Sequence, residues 1–233
     1  MSDFRIYGES VPDLVPDNEG SPKLLRESRR LAASAGAAWI GQAWGLFTRR
    51  WGVWVGMSFV MLLITTVVSM LPLVGFLSNF LTLFFAGGMM LAAAALAEND
   101  DLEFVYLFGG FQHKFKELLI LTLLYFLVLL LVVFVFVVVM YSTGTNISDW
   151  DSEQPSVAAM AMYGWIILAG FAALVPVSMM MWFATVLTVL DDVAPWQAMK
   201  MSFQGCVRNI LPFIVYGLVW LGLSLVIGLL AMG

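Results

Sequence analysis

The sequence predicts an all-α membrane protein: a polytopic bundle of five transmembrane helices with about three amphipathic helices at the membrane interface. Hydrophobic residues make up 61% of the 233 positions and charged residues only 12%, about half the charged share of a soluble domain. The mean hydropathy is +0.93. Five long apolar stretches contain no Lys, Arg, Asp, Glu or His. These observations exclude a soluble globular protein and a disordered chain.

The five stretches are each long enough to cross a bilayer core, which requires about 20 apolar residues per helix. They cover residues 52–71, 75–97, 118–141, 157–190 and 210–231. The fourth has 34 residues, and a straight helix of that length would measure about 51 Å. Because Pro176 removes a backbone hydrogen bond near its middle, we expect one tilted helix kinked there. Two half-length helices with a re-entrant bend are the alternative.

The eleven Lys and Arg residues predict the orientation. All of them precede the first span, lie between the second and third, or lie between the fourth and fifth. The loops 72–74 and 142–156 carry none. Since cytoplasmic loops are enriched in basic residues, we expect a cytoplasmic N-terminus and a periplasmic C-terminus in a bacterial inner membrane.

The N-terminal region divides into two parts. Residues 1–21 are acidic and rich in Pro, Asp and Gly, which predicts a disordered tail, and residues 22–233 form one membrane domain. Ser21 followed by Pro22 predicts the start of a helix. Lys23, Arg26 and Arg30 would share one face of it, as a topology anchor or as an arm that contacts anionic lipid.

An apolar spacing recurs in the segments before the first, third and fifth spans. Apolar residues stand at i, i+3, i+7 and i+11, a helical period, and interspersed polar residues make each segment too polar to span. Such helices lie in the membrane interface, where aromatic and basic residues anchor them. The predicted anchors are Trp44, Phe47, Arg49, Arg50, Phe111, Lys114, Lys116, Phe203 and Arg208. With Phe47, Phe111 and Phe203 in equivalent places, the chain resembles parallel repeats.

Four stretches in this order resemble a family of uncharacterised proteobacterial integral membrane proteins. They are AWIGQAWGLFTRRWGVW (38–54), LPLVGFLSNFL with FAGGMMLAA (71–94), LFGGFQ (107–112) and PWQAMKMSFQGCVRNILPF (195–213). More distantly, the arrangement is similar to the membrane domain of bacterial glycerophosphodiester phosphodiesterases. The resemblance covers roughly residues 30–230. It implies an inner-membrane location and brings no activity or site residues.

Polar residues inside or beside the spans are the remaining site candidates. Asn79 is the most polar residue within a span, and with nearby hydroxyls it lines a polar path or bonds between helices and to its own backbone. Asp191 and Asp192 precede Pro195 and are predicted to cap the next helix, with a metal or headgroup site as the alternative. The acidic residues from Glu98 to Glu103 are interpreted in the same way.

The sequence excludes several function classes and leaves two. The net charge of −5 argues against nucleic-acid binding, and a single Cys206 excludes a disulfide framework and a Cys-based zinc site. No catalytic set, cofactor motif or metal site is visible, and spans without ionisable residues argue against ion-coupled transport. We therefore expect a non-enzymatic membrane protein with a scaffold, lipid-interacting or envelope-maintenance role, and membrane lipids as partners. A transporter or channel for a small or amphiphilic solute is the alternative.

Small residues at helical spacing predict close helix packing. Gly52-x-x-x-Gly56 opens the first span, and Ser224-x-x-x-Gly228 lies in the fifth. Such spacings let two helices approach closely. Packing within the bundle is one interpretation, and a homo-oligomer is the other.

Overall fold

The computed structural model describes residues 28–71, 75, 77–98, 101–142 and 157–232, which contain helices and no strand. The predicted tail 1–21 and the predicted helix start at Ser21 lie outside these residues. In chain order the helices are α1 (Ala35–Arg49), α2 (Trp51–Ser69), α3 (Leu77–Ala97), a 3₁₀ turn (Phe104–Phe108), α4 (Gly109–His113), α5 (Phe115–Ser142), α6 (Val157–Trp182), α7 (Ala184–Leu190), α8 (Pro195–Arg208) and α9 (Ile210–Met232). The all-α class is confirmed.

Five helical segments are long and apolar enough to cross a membrane, which confirms the five predicted spans. They are α2, α3, α5, the α6–α7 pair and α9. Three shorter segments precede the first, third and fifth spans, as the recurring spacing predicts: α1, the 3₁₀ turn with α4, and α8. We call the end of the bundle that carries these short helices the corner side, and the opposite end the far side.

The predicted helix through Arg30 is wrong for the residues that the structure describes. Residues 28–32 have irregular backbone, and α1 begins only at Ala35. The reason lies in their hydrogen bonds. The backbone N–H of Leu31 and the carbonyl of Arg29 bond to the side chain of Asn209 instead of to a helical turn. We call residues 28–31 the strap.

The fourth span is interrupted at Phe183, seven residues after Pro176, where a kink is predicted. Helix α6 is 26 residues long, continues through Pro176 and ends at Trp182. The break lies at Phe183, where the N–H donates to Ser202 Oγ (2.9 Å) and that hydroxyl donates to the Met179 carbonyl (2.7 Å). Ser202 thus occupies the place of the direct bond from residue 183 to residue 179, a known cause of helix interruption. The 26- and seven-residue pieces also exclude two half-length helices.

Helix α3 lies at the centre of the corner side, because it packs against α2, α4, α5, α7 and the 3₁₀ turn. Its neighbouring residues Phe84 and Phe85 belong to two different buried clusters, one with α5, α7 and α8 and the other with α2 and the 3₁₀ turn. Gly88 permits a close approach between α3 and the 3₁₀ turn. A Cβ there would lie 2.2 Å from the Leu107 carbonyl oxygen, so any side chain would push the turn away.

Packing changes sharply along the spans. The buried residues of the described chain lie on the corner side, from Trp54 and Met57 in α2 to Ser202 and Cys206 in α8. On the far side no described side chain is buried over residues 58–71, 78–83, 123–142, 160–176 and 213–231. The five spans therefore form a close-packed core at one end only, and their far halves enclose none.

Candidate functional site

Three sharp corners join the short helices to the spans that follow them. Each short helix ends, one residue breaks the helix, and the span begins at the next residue. The corner residues are Arg50 (φ −143°, ψ 45°), Lys114 (φ −131°, ψ 27°) and Asn209 (φ −122°, ψ 34°). Their similar backbone angles support the repeats that the sequence spacing predicts. Phe47 and Phe111 stand three residues before their corners, whereas Phe203 stands six residues before Asn209, so the third corner comes three residues later relative to the recurring apolar spacing.

The first two corners are bound to the loop that precedes the next repeat. Arg50 forms an ion pair of 2.6 Å with Asp101, which lies between α3 and the 3₁₀ turn. Lys114 forms an ion pair with Asp192, which lies between α7 and α8. Arg50 and Asp101 are well exposed, and such surface pairs contribute little stability. The Lys114 side chain is only 18% exposed, so its charge is far more dependent on Asp192 for compensation.

The predicted capping by Asp191 and Asp192 is wrong. The residue before α8 is Ala194, and no side chain caps that helix, although Pro195 does occupy its first turn. Asp192 adopts a positive φ of 55°, which turns the chain, and its carboxylate meets Lys114. Burial, and then the nearby Asp192 carboxylate, raise the pKa of Asp191 above its usual value. The same interpretation fails for the earlier acidic group, since Asp101 pairs with Arg50 and Glu103 makes no capping bond.

The third corner is bound to the strap, which precedes the first repeat. Asn209 Oδ1 accepts from the Leu31 N–H, and its Nδ2 donates to the Arg29 carbonyl, both at 2.8 Å. Arg208 Nη1 donates to the Ser28 carbonyl at 2.8 Å. Asn209 was not among the residues that the sequence singles out. The only local sign of its role is an amide side chain that follows a basic residue and directly precedes an apolar span.

The three corners together close a ring. Each corner contacts the segment leading into the next repeat, and the third contacts the segment leading into the first. The short helices pack in the same cyclic order, each on a span of the preceding repeat: α4 packs on α3, α8 packs on α6 and α7, and α1 packs on α9. The third repeat has one described span where the other two have a pair. The corner side is therefore locked by contacts between residues up to 180 positions apart.

An aromatic cluster fixes the base of α9 beside α1 and α6. Phe213 lies at its centre, with ring centroids 5.4 Å from Trp39, 5.3 Å from Trp182 and 5.9 Å from Phe183. Tyr216 extends the cluster one turn further. Such ring pairs add to the stability gained by area burial alone. Beyond Tyr216, α9 has no comparable set of contacts with another span.

The predicted aromatic anchors occupy two different environments. Phe111 stacks on Phe84 at 4.8 Å and contacts Phe85 at 5.2 Å, which places it against the core. Phe47 is partly buried beside Trp44, which is 64% exposed. Phe203 is exposed as well. Among the basic anchors, Arg49 donates to the Leu96 carbonyl at 3.4 Å, and Lys116 and Arg208 are exposed.

The polar residues near the far side are local in their bonding. Asn79 is exposed near the start of α3. Thr65 donates to the Met61 carbonyl, Ser69 to Thr66 and Thr82 to Ser78, all within their own helices. These three hydroxyls therefore satisfy their own backbone and do not connect one span to another. In the part of the chain that the structure describes, no group of three His, Cys, Asp or Glu residues is placed to hold a metal ion.

Comparison with known proteins gives one informative match. No family profile matches the chain, and no solved structure does. A probable inner membrane protein of Burkholderia thailandensis is 31% identical over 205 residues, covering 84% of this chain and 75% of that protein. No match connects the chain with glycerophosphodiester phosphodiesterases, and that part of the resemblance stays a prediction. The chain belongs to the family of this probable inner membrane protein and is an integral membrane protein.

Proposed function

We propose that this protein is a non-enzymatic, lipid-interacting scaffold of the inner membrane with a role in maintaining the cell envelope. The observation that carries the proposal is the contrast between the two ends of the bundle. The corner side is close-packed and locked by the ring of corner contacts, whereas no described side chain of the far halves is buried. A close-packed base with loosely packed apolar far halves, which are joined by few contacts such as the stacked rings of Phe80 and Phe126 (5.0 Å), offers lipid chains surface between the spans as well as around them.

Helix α9 illustrates this surface best. Large apolar side chains are exposed at successive positions, including Leu225, Val226 and Ile227. Because successive residues of a helix point about 100° apart, exposure of three in a row covers nearly the whole circumference. Within the described chain, nothing packs around this part of α9. At the depth of the hydrocarbon layer, acyl chains are the molecules that suit such a surface.

The basic residues support an orientation for the scaffold. The described Lys and Arg residues lie on the corner side, at or beside the corners. The preference of basic residues for the cytoplasm then favours a cytoplasmic corner side and N-terminus, with the C-terminus in the periplasm. The far halves would lie in the periplasmic leaflet.

Photolabelling with phospholipids that carry a diazirine at the end of an acyl chain tests the proposal. In native membranes we expect labels on all sides of α9 between Leu218 and Leu230, and few at buried corner-side residues such as Leu118 and Met199. Labels confined to one side of α9 would show that another protein surface, such as a second copy, covers the rest, and would overturn lipid access between the spans. A deletion strain should also show an envelope defect that the full chain restores.

One observation favours the second candidate, a transporter for a small or amphiphilic solute. The interrupted fourth span resembles the discontinuous helices of transporters, whose breaks lie at the transport pathway. The close-packed corner side opposes it, because it obstructs a continuous path. Proteoliposomes containing the full chain should therefore show no uptake of amphiphilic dyes above protein-free vesicles, and clear uptake would favour the transporter.

A further inference from the structure

The three corners differ in how their basic residues are balanced. At the first corner Arg49 and Arg50 are accompanied by Glu98, Asp101 and Glu103. At the second, Lys114 and Lys116 are accompanied by Glu117, Asp191 and Asp192. The third corner, over residues 28–34 and 195–214, carries Arg29, Arg30, Lys200 and Arg208 and no Asp or Glu. Acidic loops therefore offset the basic residues at the first two corners, whereas the strap arginines Arg29 and Arg30 have no Asp or Glu in these described segments.

The basic residues of the third corner are held in place by the strap. Asn209 bonds the backbone on both sides of Arg30, through the Arg29 carbonyl and the Leu31 N–H. Both strap arginines are exposed, so two guanidinium groups are displayed from a backbone that is already fixed. A ligand that binds them need not bear the entropic cost of ordering the strap.

Helix α8 continues the same basic surface. Arg208 bonds the Ser28 carbonyl at the start of the strap, and Lys200 lies two turns earlier on the same face of α8, about 12 Å away along the helix axis. Lys200 also lies 5.1 Å from the ring centre of Trp196. Planar guanidinium groups suit phosphate oxygens, which they bind through paired hydrogen bonds.

Directly beside these charges the chain turns into an apolar surface. Ile210 and Leu211 begin α9 one residue after the corner, and Ile214 follows one turn later, with all three exposed. Val207, also exposed, precedes the corner. A basic group at the end of a span, followed at once by exposed aliphatic side chains, matches a molecule with an anionic head and acyl chains.

We infer that the third corner is a binding site for an anionic phospholipid of the leaflet on the corner side. Arg29 and Arg30 bind the headgroup phosphate, and Ile210, Leu211 and Ile214 contact the upper acyl chains. This inference rests on the proposed lipid-interacting function and specifies the lipid class and the place where it binds. The acidic residues of the other two corners oppose the same ligand there.

Native mass spectrometry of the full chain with titrated phosphatidylglycerol or phosphatidylcholine tests the site. The variant is Arg29→Gln with Arg30→Gln. Its matched control is Arg49→Gln with Lys116→Gln, which removes the same charge from the same side of the membrane. Since each basic residue near an anionic lipid surface contributes about five- to sixfold to binding, we expect the variant, which lacks two, to bind phosphatidylglycerol about 30-fold more weakly. The control should lose no more than about threefold.

Three outcomes would overturn the inference. Equal losses in the variant and the control would mean that net charge alone attracts the lipid, and no loss in the variant would mean that the strap takes no part. Displacement of phosphatidylglycerol by millimolar inorganic phosphate would assign the site to a soluble anion instead. Each result leaves the acyl-chain photolabelling of α9 unaffected, so failure of this site is distinguishable from failure of the proposed function.

Discussion

Replacement of Ser202 by alanine is the sharpest test of how the fourth span is built. The hydroxyl accepts from the Phe183 N–H and donates to the Met179 carbonyl, and Ser202 is only 1% exposed. Alanine removes both bonds. Either the two backbone groups stay apart, with the Phe183 N–H unbonded and the Met179 carbonyl left with only the long 3.5 Å contact from Cys206 Sγ, or they bond directly and α6 and α7 straighten into one helix. Straightening would displace α7, whose Ala184 and Thr188 are fully buried.

The size of the effect follows from these two cases. Two side-chain bonds at the membrane average of about 0.6 kcal/mol each give a lower value of about 1 kcal/mol. Two buried groups left without partners, at about 1–3 kcal/mol each, give an upper value of about 6 kcal/mol. Because partial closure of the gap relieves part of that cost, we expect Ser202→Ala to lower the free energy of unfolding by about 2–3 kcal/mol.

Unfolding by sodium dodecyl sulfate in mixed micelles, followed by circular dichroism, measures this change. Ser178→Ala is the matched control, since Ser178 is exposed and donates only to the Val175 carbonyl of its own helix. It should shift the free energy by no more than about 0.5 kcal/mol. Hydrogen exchange at the Phe183 amide provides a second readout. If Ser202→Ala matched the control and the amide exchanged at the wild-type rate, the insertion of Ser202 would not hold the break.

Three further predictions concern other contacts. A Cβ at Gly36 would lie 2.0 Å from the Pro212 carbonyl oxygen, so Gly36→Ala should separate α1 from α9 and lower the free energy of unfolding by at least about 2 kcal/mol in the same assay. The control Gly41→Ala, at a position with open space around it, should be neutral or stabilising. Equal effects of the two substitutions would refute the close approach at Gly36. Because the raised pKa of Asp191 means that its ionised form destabilises the fold, Asp191→Asn should stabilise the protein at pH 7. That gain should vanish as the pH falls below the ordinary aspartate pKa of 3.8, and a gain independent of pH would contradict the prediction. Burial raises the pKa of the Cys206 thiol to about 11, so maleimide should label this thiol slowly at pH 8 unless the chain is unfolded. Rapid labelling of the native protein would show that the contact between α6 and α8 is open.

The spans were predictable because their signal is local. Length and apolarity of a continuous stretch decide whether it crosses a membrane, and the bounds of α2 and α9 differ from the predicted ones by a residue or two. The short helices were predictable for the same reason, through a period within one segment. Proline is a local sign of a kink, and the kink at Pro176 stays a prediction, whereas the break at Phe183 depends on Ser202, twenty-six residues further along the chain than Pro176.

The corner contacts were not predictable from local pattern. Arg50, Lys114 and Arg208 could be recognised as anchors from their position beside a span. Their partners are separated from them by 51, 78 and 180 residues, and nothing in the intervening sequence specifies the pairing. Asp192 shows the consequence: its position before a helix predicts a cap, and its positive φ directs it to Lys114 instead.

The ring of corners also sets an order for biogenesis. The strap can dock only after Asn209 has left the ribosome, 178 residues after Leu31. Until then α1 lacks its platform on α9, and the first four spans must insert without the contact that completes the ring. Such distant contacts form late because a long loop must close first. Truncation before the third corner should therefore leave the early helices inserted yet unassembled, a form that quality-control proteases would recognise.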